Sequence, residues 1–258
     1  MAAQKPWALV TGGSSGIGLA FSRQLASEGY SLALVSNRAE ELAQAKESLT
    51  VPVETLCLDL TETGAAAKVL AWCEESGCVP DLLVNNAGMF FMEYLEPASL
   101  GKVRTMIRLH MEALTELCIL FGARMKEKGG GQILNISSMT ARIPSPGIAV
   151  YSASKAYVKS FSRGLSYELR PYGVTVTAVC PAAVDTGLYP LGDRLRTFLR
   201  NIGILRSPEW LVRRSLKALR RGRRCISPGI TNHLLPPIIA MLPARLIDRL
   251  GLKWIRKA

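Results

Sequence analysis

Short apolar runs recur along this chain, separated by longer stretches with helical spacing. Trp7 to Val10, Ser31 to Val35, Val53 to Leu58, Asp81 to Val84, Gly131 to Ile136 and Val174 to Val179 are rich in Val, Ile and Leu. Runs of that length and composition predict strands buried in a sheet. Between them, Ile17, Phe21 and Leu25 fall four apart and mark one face of a helix that ends at Glu28-Gly29. Further helices are predicted over Ala39 to Leu49, Pro97 to Met125 and Ser152 to Arg170, the last stopped by Pro171. Ser207 and Pro208 have the signature of a cap and first turn, opening a helix that runs into Arg220-Arg-Gly-Arg-Arg224, and Cys225 to Ser227 is a candidate last strand. Strands that alternate with helices give an α/β fold, a single-domain doubly wound parallel sheet with helices on both faces.

The chain has 258 residues with 48% apolar content, and no Pro/Gly/Ser linker interrupts the alternation. One domain is expected over residues 1–231, with an amphipathic lid near 187–206 that carries Leu188, Leu191, Phe198 and Leu199. Residues 232–258 form a basic amphipathic extension packed on or beside it, with Arg245, Arg249, Lys253, Arg256 and Lys257 around Trp254. The run Leu234 to Leu242 holds two prolines and is about half of the ~20 residues a spanning helix needs. The amino end has no apolar core of secretory-signal length.

Charge changes the picture of partners. The net charge is +12, but from Arg194 onward there are 16 Lys and Arg against 2 Asp and Glu, and before it 16 against 18. The whole excess therefore lies in the last quarter, where it suits nucleic acid, an anionic lipid surface or an acidic substrate, with a solvated basic face as the default reading. No nucleic-acid motif accompanies it, which ranks nucleic acid low. Six scattered cysteines, with no C-x-x-C pair, point to reduced thiols in a cytoplasmic protein and to no metal site.

Candidate chemistry centres on Tyr151-Ser-Ala-Ser-Lys155, with Ser138 thirteen residues upstream at the end of a strand. Residues four apart share a helix face, so the Tyr151 phenol and the Lys155 ammonium can enter one cleft. An ammonium favours the phenolate and turns a phenol with an ordinary pKa of about 10 into a usable proton donor. In an open parallel sheet such chemistry gathers at the carboxyl ends of strands. After the first strand, Thr11-Gly-Gly-Ser-Ser-Gly-Ile-Gly18 leads into a helix. Glycines there allow a sharp turn and close approach to a pyrophosphate, which the free amides and helix dipole attract. Tyr-x-x-x-Lys alone is weak, and so is a lone glycine turn; their joint presence in register is stronger.

T-G-x-x-x-G-x-G at Thr11 to Gly18, Asn85-Asn86-Ala87-Gly88, Ser138, Tyr151/Lys155 and Pro181 to Thr186 together resemble the short-chain dehydrogenase/reductase family over roughly the first 190 residues. The resemblance implies a Rossmann-like oxidoreductase that moves hydride between a nicotinamide cofactor and a carbonyl carbon or secondary alcohol. It makes Tyr151 the proton donor, Ser138 a hydrogen-bond donor to the carbonyl oxygen, and Lys155 a partner of both Tyr151 and the nicotinamide ribose. It also implies cofactor contacts from Thr11, Gly12, Ser14, Ser15, Gly16, Ile17, Gly18, Asn37, Arg38, Asp59, Asn86, Ala87, Gly88, Tyr151, Lys155, Pro181, Val184 and Thr186.

The second strand ends in Ser36-Asn37-Arg38, with no acid for a ribose hydroxyl and a base for a 2′-phosphate, so NADP(H) is favoured over NAD(H). Two departures stand out. His110 occupies about the place of a relay asparagine, and is either a catalytic relay group or a satisfied helix histidine; Ala182 stands where glycine is common. The expected substrate is a small hydrophobic carbonyl compound, such as a 3-oxoacyl or other lipid-like ketone. The helix after Tyr151, with Val158, Phe161 and Leu165 on one face, resembles the family's dimer surface and implies a homodimer or homotetramer, with ordinary core packing as the other reading of that face. Two other readings stand beside the enzyme: a catalytically weak NAD(P)-binding regulatory protein, and a membrane-surface-associated binding protein on the same fold.

Overall fold

The computed structural model describes residues 5–143, 146–186 and 205–243, together with Arg194, Arg196, Thr197, Arg200, Arg245 and Leu246. Seven strands, β1 (Trp7–Thr11), β2 (Ser31–Ser36), β3 (Val53–Cys57), β4 (Leu82–Asn85), β5 (Gly131–Ile136), β6 (Val174–Val179) and β7 (Cys225–Ile226), form one sheet in the order β3-β2-β1-β4-β5-β6-β7. Every pairing is parallel, as in Val10↔Leu34 between β1 and β2 and Val10↔Val84 between β1 and β4. The strand order reverses between β1 and β4, and a crevice opens at the carboxyl ends there.

The period of two along each strand divides the core. Ala8, Val10, Leu32 and Leu34 face α1 (Gly16–Ser27), α2 (Ala39–Glu47) and α7 (Pro208–Arg220), where Phe21, Leu25, Leu42, Leu211 and Leu216 meet them. Leu9, Ala33, Val35 and Leu83 face α3 (Ala65–Glu75), α5 (Leu114–Lys128) and α6 (Ala149–Leu169), against Val69, Leu117, Phe121 and Val158. Burying both faces explains why the central runs of β1, β2 and β4 are continuously apolar rather than alternating. Phe121, 1% exposed between α3 and the sheet, is a measure of this packing. Its truncation to Ala would cost about 3–5 kcal/mol.

Three expectations change. The helix expected over Pro97 to Met125 is α4 (Leu100–Ile107), preceded by a 3₁₀ turn (Pro97–Ser99), then a π turn (Arg108–Ala113), then α5. The helix expected to reach Leu49 ends at Glu47. Val158 and Leu165 do not face outward: they lie in the core under the sheet, and Phe161 stacks on Tyr157 with centroids 5.7 Å apart. With an apolar sheet on one side, α6 turns its most apolar face inward, as burial dictates.

A further helix, α8 (Thr231–Ala240), follows β7 and packs on the turn Met139–Arg142. Leu188, Leu191, Phe198 and Leu199 of the expected lid, and Arg249, Lys253, Trp254, Arg256 and Lys257 of the tail, lie outside the described residues. Among the described residues no helix is long and apolar enough to cross a membrane.

Candidate active site

The turn after β1 is shaped by what it cannot accommodate. Gly12 and Gly16 have φ of +61° and +51°, a region that favours glycine. A Cβ at Gly18 would stand 1.9 Å from the Gly12 carbonyl oxygen, so the helix can begin tight against the turn only with glycine there. The cap of α1, Ser15, makes no side-chain bond to the first turn, and that turn holds no acidic residue. Its leading amides therefore face the crevice unneutralised, which suits a pyrophosphate.

Thr11 and Asn86 brace this turn. The amides of Asn86 and Ala87 each donate to Thr11 Oγ1 at 3.0 Å, and Asn86 Nδ2 donates to the carbonyls of Thr11 (3.1 Å) and Gly12 (3.2 Å). Thr11 is 1% exposed and its oxygen is spent on protein amides. The Gly18 carbonyl accepts from Ser22 Oγ at 3.0 Å, and Ser14 turns its hydroxyl towards Ser36 and Glu41 at the side of the crevice.

The crevice is a cavity of about 690 Å³ that runs from Arg38 and Asp59 at one end to Ser138, Tyr151 and Lys155 at the other. Gly12, Ser15, Gly16, Ile17, Asn37, Asn86, Ala87, Gly88, Pro181, Ala182, Val184 and Thr186 line it between those ends. A dinucleotide fits this length and its amide-rich floor.

At the Arg38 end the structure adds a residue the sequence did not single out. Glu41, in the first turn of α2, accepts from Arg38 Nη1 at 2.5 Å and lies 3.3 Å from Ser14 Oγ, which is also 3.1 Å from Ser36 Oγ. The Arg38 guanidinium holds the Glu41 carboxyl below the usual carboxylate range. Asp59 Oδ1 accepts from both the amide and the hydroxyl of Thr61 at 2.8 Å, capping the turn after β3.

At the other end, β5 and α6 deliver the hydroxyls and the ammonium to one place. Lys155 Nζ donates to the Ile136 carbonyl at 3.0 Å, Ser137 Oγ donates to the Lys155 carbonyl at 2.7 Å, and Ser138 Oγ accepts from the Thr140 amide at 3.2 Å. Lys155 Nζ lies 5.8 Å from the centre of the Tyr151 ring, and Phe90 meets that ring edge-on at 5.0 Å. Burial pushes the Lys155 ammonium down to about 8. An ammonium held so weakly still favours an adjacent phenolate while it is charged.

His110 sits in the π turn, 1% exposed, behind the crevice rather than in its lining. Its Nε2 accepts from the Met89 amide at 3.0 Å, and Nδ1 is 2.9 Å from Ser154 Oγ. Ser154 spends its own proton on the Tyr151 carbonyl at 2.8 Å, so Nδ1 carries the hydrogen and donates to Ser154. Burial, with the Lys155 charge adding to it, pushes His110 down to about 2, which keeps it neutral. Both ring nitrogens are thereby engaged by protein groups. The ring pins the loop after β4 to the first turn of α6.

A parallel sheet in this order, a glycine turn at its switch point, and Ser138, Tyr151 and Lys155 at one end of the crevice define a nicotinamide-dependent oxidoreductase. The family model for short chain dehydrogenase matches residues 6–190, and the chain belongs to that family. It is 30% identical over 248 residues to 17-beta-hydroxysteroid dehydrogenase type 3 of Danio rerio, covering 92% of this chain and 77% of that protein. It is 32% identical to the very-long-chain 3-oxoacyl-CoA reductase of Homo sapiens, over 92% and 76% of the two chains. Among solved structures, a short-chain dehydrogenase from Sphingobium yanoikuyae in complex with NADPH superposes with a TM-score of 0.76 at 28% identity, over 93% of this chain and 97% of that one.

Proposed function

We propose that this oxidoreductase reduces a hydrophobic ketone, of the 3-oxoacyl or other lipid-like class, with NADPH. The observation that carries the proposal is the meeting of Ser138, Tyr151 and Lys155 at the end of a dinucleotide-sized crevice whose far end presents Arg38. The Phe90 ring, edge-on to Tyr151, gives that end an apolar wall, which favours a hydrophobic substrate. The names of the human and zebrafish relatives agree with a 3-oxoacyl or sterol ketone.

The cofactor, when bound, supplies the hydride. The residues of this chain do the rest. Amides at the start of α1 hold the pyrophosphate, and Lys155 and Tyr151 hold the nicotinamide ribose. Val184 and Thr186 meet the carboxamide. Ser138 Oγ donates to the substrate carbonyl and orients it, and Tyr151 Oη gives up its proton to the oxygen as negative charge develops there. Lys155, while charged, stabilises the phenolate that results. Arg38 receives the 2′-phosphate, which must replace Glu41 at the guanidinium. Assembly as a homodimer or homotetramer belongs to the same proposal. With Val158 and Leu165 turned inward, Ile119 and Tyr167 are exposed apolar side chains that α5 and α6 offer a second copy.

The test is NADPH oxidation, followed at its absorbance, with a panel of ketones graded in chain length and bulk. Turnover that rises with apolar length supports the proposal. An enzyme that reduces only small polar carbonyls, or one that turns over NADH alone, contradicts it.

A further inference from the structure

Helix α8 has one side committed to the protein. Asn232, 1% exposed, donates through Nδ2 to the carbonyls of Cys180 (3.1 Å) and Pro228 (2.6 Å). Cys180 leads directly into Pro181 of the crevice, and α8 also rests on the turn Met139–Arg142 that follows Ser138. The helix is thus anchored beside the mouth of the site.

Its other side is apolar and open. Ile230 is 69% exposed, Leu234 54%, Ile238 53% and Met241 83%. Steps of four, four and three put them on one helical face, and Leu246 lies exposed beyond. A continuous apolar stripe of this kind marks an interaction surface, whereas single exposed apolar residues do not.

The charge around the stripe selects the partner. Between Glu209 and Asp248 the chain holds eight Lys and Arg and no acidic residue, yet none of the eight lies between Cys225 and Ala244. In the sequence this uncharged stretch runs from Arg224, which stacks 4.2 Å over the Tyr167 ring, to the exposed Arg245 that follows the stripe. Arg142 joins them from the supporting turn, donating to Ser227 Oγ at 2.9 Å. An apolar stripe edged with cations complements a bilayer whose headgroups are anionic and whose interior begins a few ångströms below.

We propose that α8 docks this protein on an anionic lipid surface. The stripe enters the boundary between headgroups and acyl chains, the flanking arginines meet lipid phosphates, and the mouth of the crevice lies against the bilayer. This deepens the functional reading, because a lipid-like ketone would then be delivered from the membrane, and it rests on that reading only for its purpose. Docking itself needs neither substrate nor cofactor.

The experiment is co-sedimentation of the full chain, with no substrate or cofactor, with phosphatidylcholine vesicles and with vesicles that also contain phosphatidylglycerol. The wild type should bind the anionic vesicles, bind the neutral ones much less, and release as salt rises and the Debye length falls from about 10 Å towards 3 Å. Leu234→Asp/Ile238→Asp should lower the partition coefficient at least about tenfold, since two apolar side chains can no longer be buried. Met241→Asp is the milder variant, at the most exposed of these positions, and should lower it about threefold or more. The solution mass of both variants should equal that of the wild type. Equal binding by wild type and Met241→Asp overturns the proposal, as does a wild type that ignores anionic vesicles. A variant whose solution mass falls to a fraction of the wild-type mass overturns it too, because the stripe is then a contact between copies. Vesicle binding without ketone turnover contradicts only the substrate assignment, and turnover without vesicle binding contradicts only the docking.

Discussion

Replacing His110 by Asn tests the buried contact between the loop after β4 and the helix that carries Tyr151. In the folded protein His110 stays neutral until about pH 2, whereas an unfolded histidine takes up its proton near 6.5. A histidine with a depressed folded value contributes its full stability above 6.5 and loses it as pH falls, because the unfolded chain then binds the extra proton. The loss approaches about 1.4 kcal/mol per pH unit below 6.5, or about 2 kcal/mol by pH 5. At pH 7 the variant should be less stable than the wild type by about 1–3 kcal/mol, since hydrogen bonds to Met89 and Ser154 are lost or weakened in a buried place. At pH 5 that gap should have closed by about 2 kcal/mol, because the variant has no imidazole to titrate there. Urea unfolding of both proteins, followed by circular dichroism between pH 5 and 7.5, measures the gap directly. The chain has 2 histidines, and the other, His233, is exposed and present in both proteins, so it cancels with the carboxylates. A gap that stays constant across this range refutes the assignment of His110 as a buried neutral ring.

At the cofactor end, Arg38→Ala should weaken NADPH about tenfold or more and NADH little, while Glu41→Gln should tighten NADPH by removing the carboxylate that competes for Arg38; equal effects on both cofactors in fluorescence titrations would contradict the phosphate site. The rate of ketone reduction should fall as pH rises through about 8, with a slope of one proton, because Lys155 loses its charge there; a rate unchanged to pH 10 would remove Lys155 from the mechanism.

What the chain reveals before folding is what lies close together along it. Tyr151 and Lys155 are one helical turn apart, and the glycines of the first turn are consecutive with the strand and helix they join. Six of the seven strands announce themselves by length and apolar content, because both faces of the sheet are covered. Glu41 was silent for the opposite reason. It occupies the first turn of a surface helix, where an acid is an ordinary dipole partner, and only the fold brings it to Ser14, 27 residues away. Thr11 could equally have pointed its hydroxyl at a phosphate; the amides of Asn86 and Ala87, from the turn after β4, hold it instead. The π turn around His110 has no proline or glycine to mark it. For Val158 and Leu165 two readings stood side by side, because an apolar stripe on a helix does not say whether a sheet or a second subunit will cover it; the sheet covers them.

The central claim is that this oxidoreductase protonates a ketone from Tyr151 while hydride arrives from NADPH. Its most direct test is single-turnover oxidation of bound NADPH by a long-chain 3-oxoacyl thioester, in the wild type and in Tyr151→Phe. The ring at 151 is 7% exposed and packs on Phe90, so its phenylalanine counterpart should keep the fold and bind NADPH within a few-fold of the wild type. The rate of the chemical step should fall by about 10² to 10⁴. A Phe variant that oxidises NADPH at close to the wild-type rate would contradict the account, and so would a wild type that leaves NADPH untouched with every ketone offered.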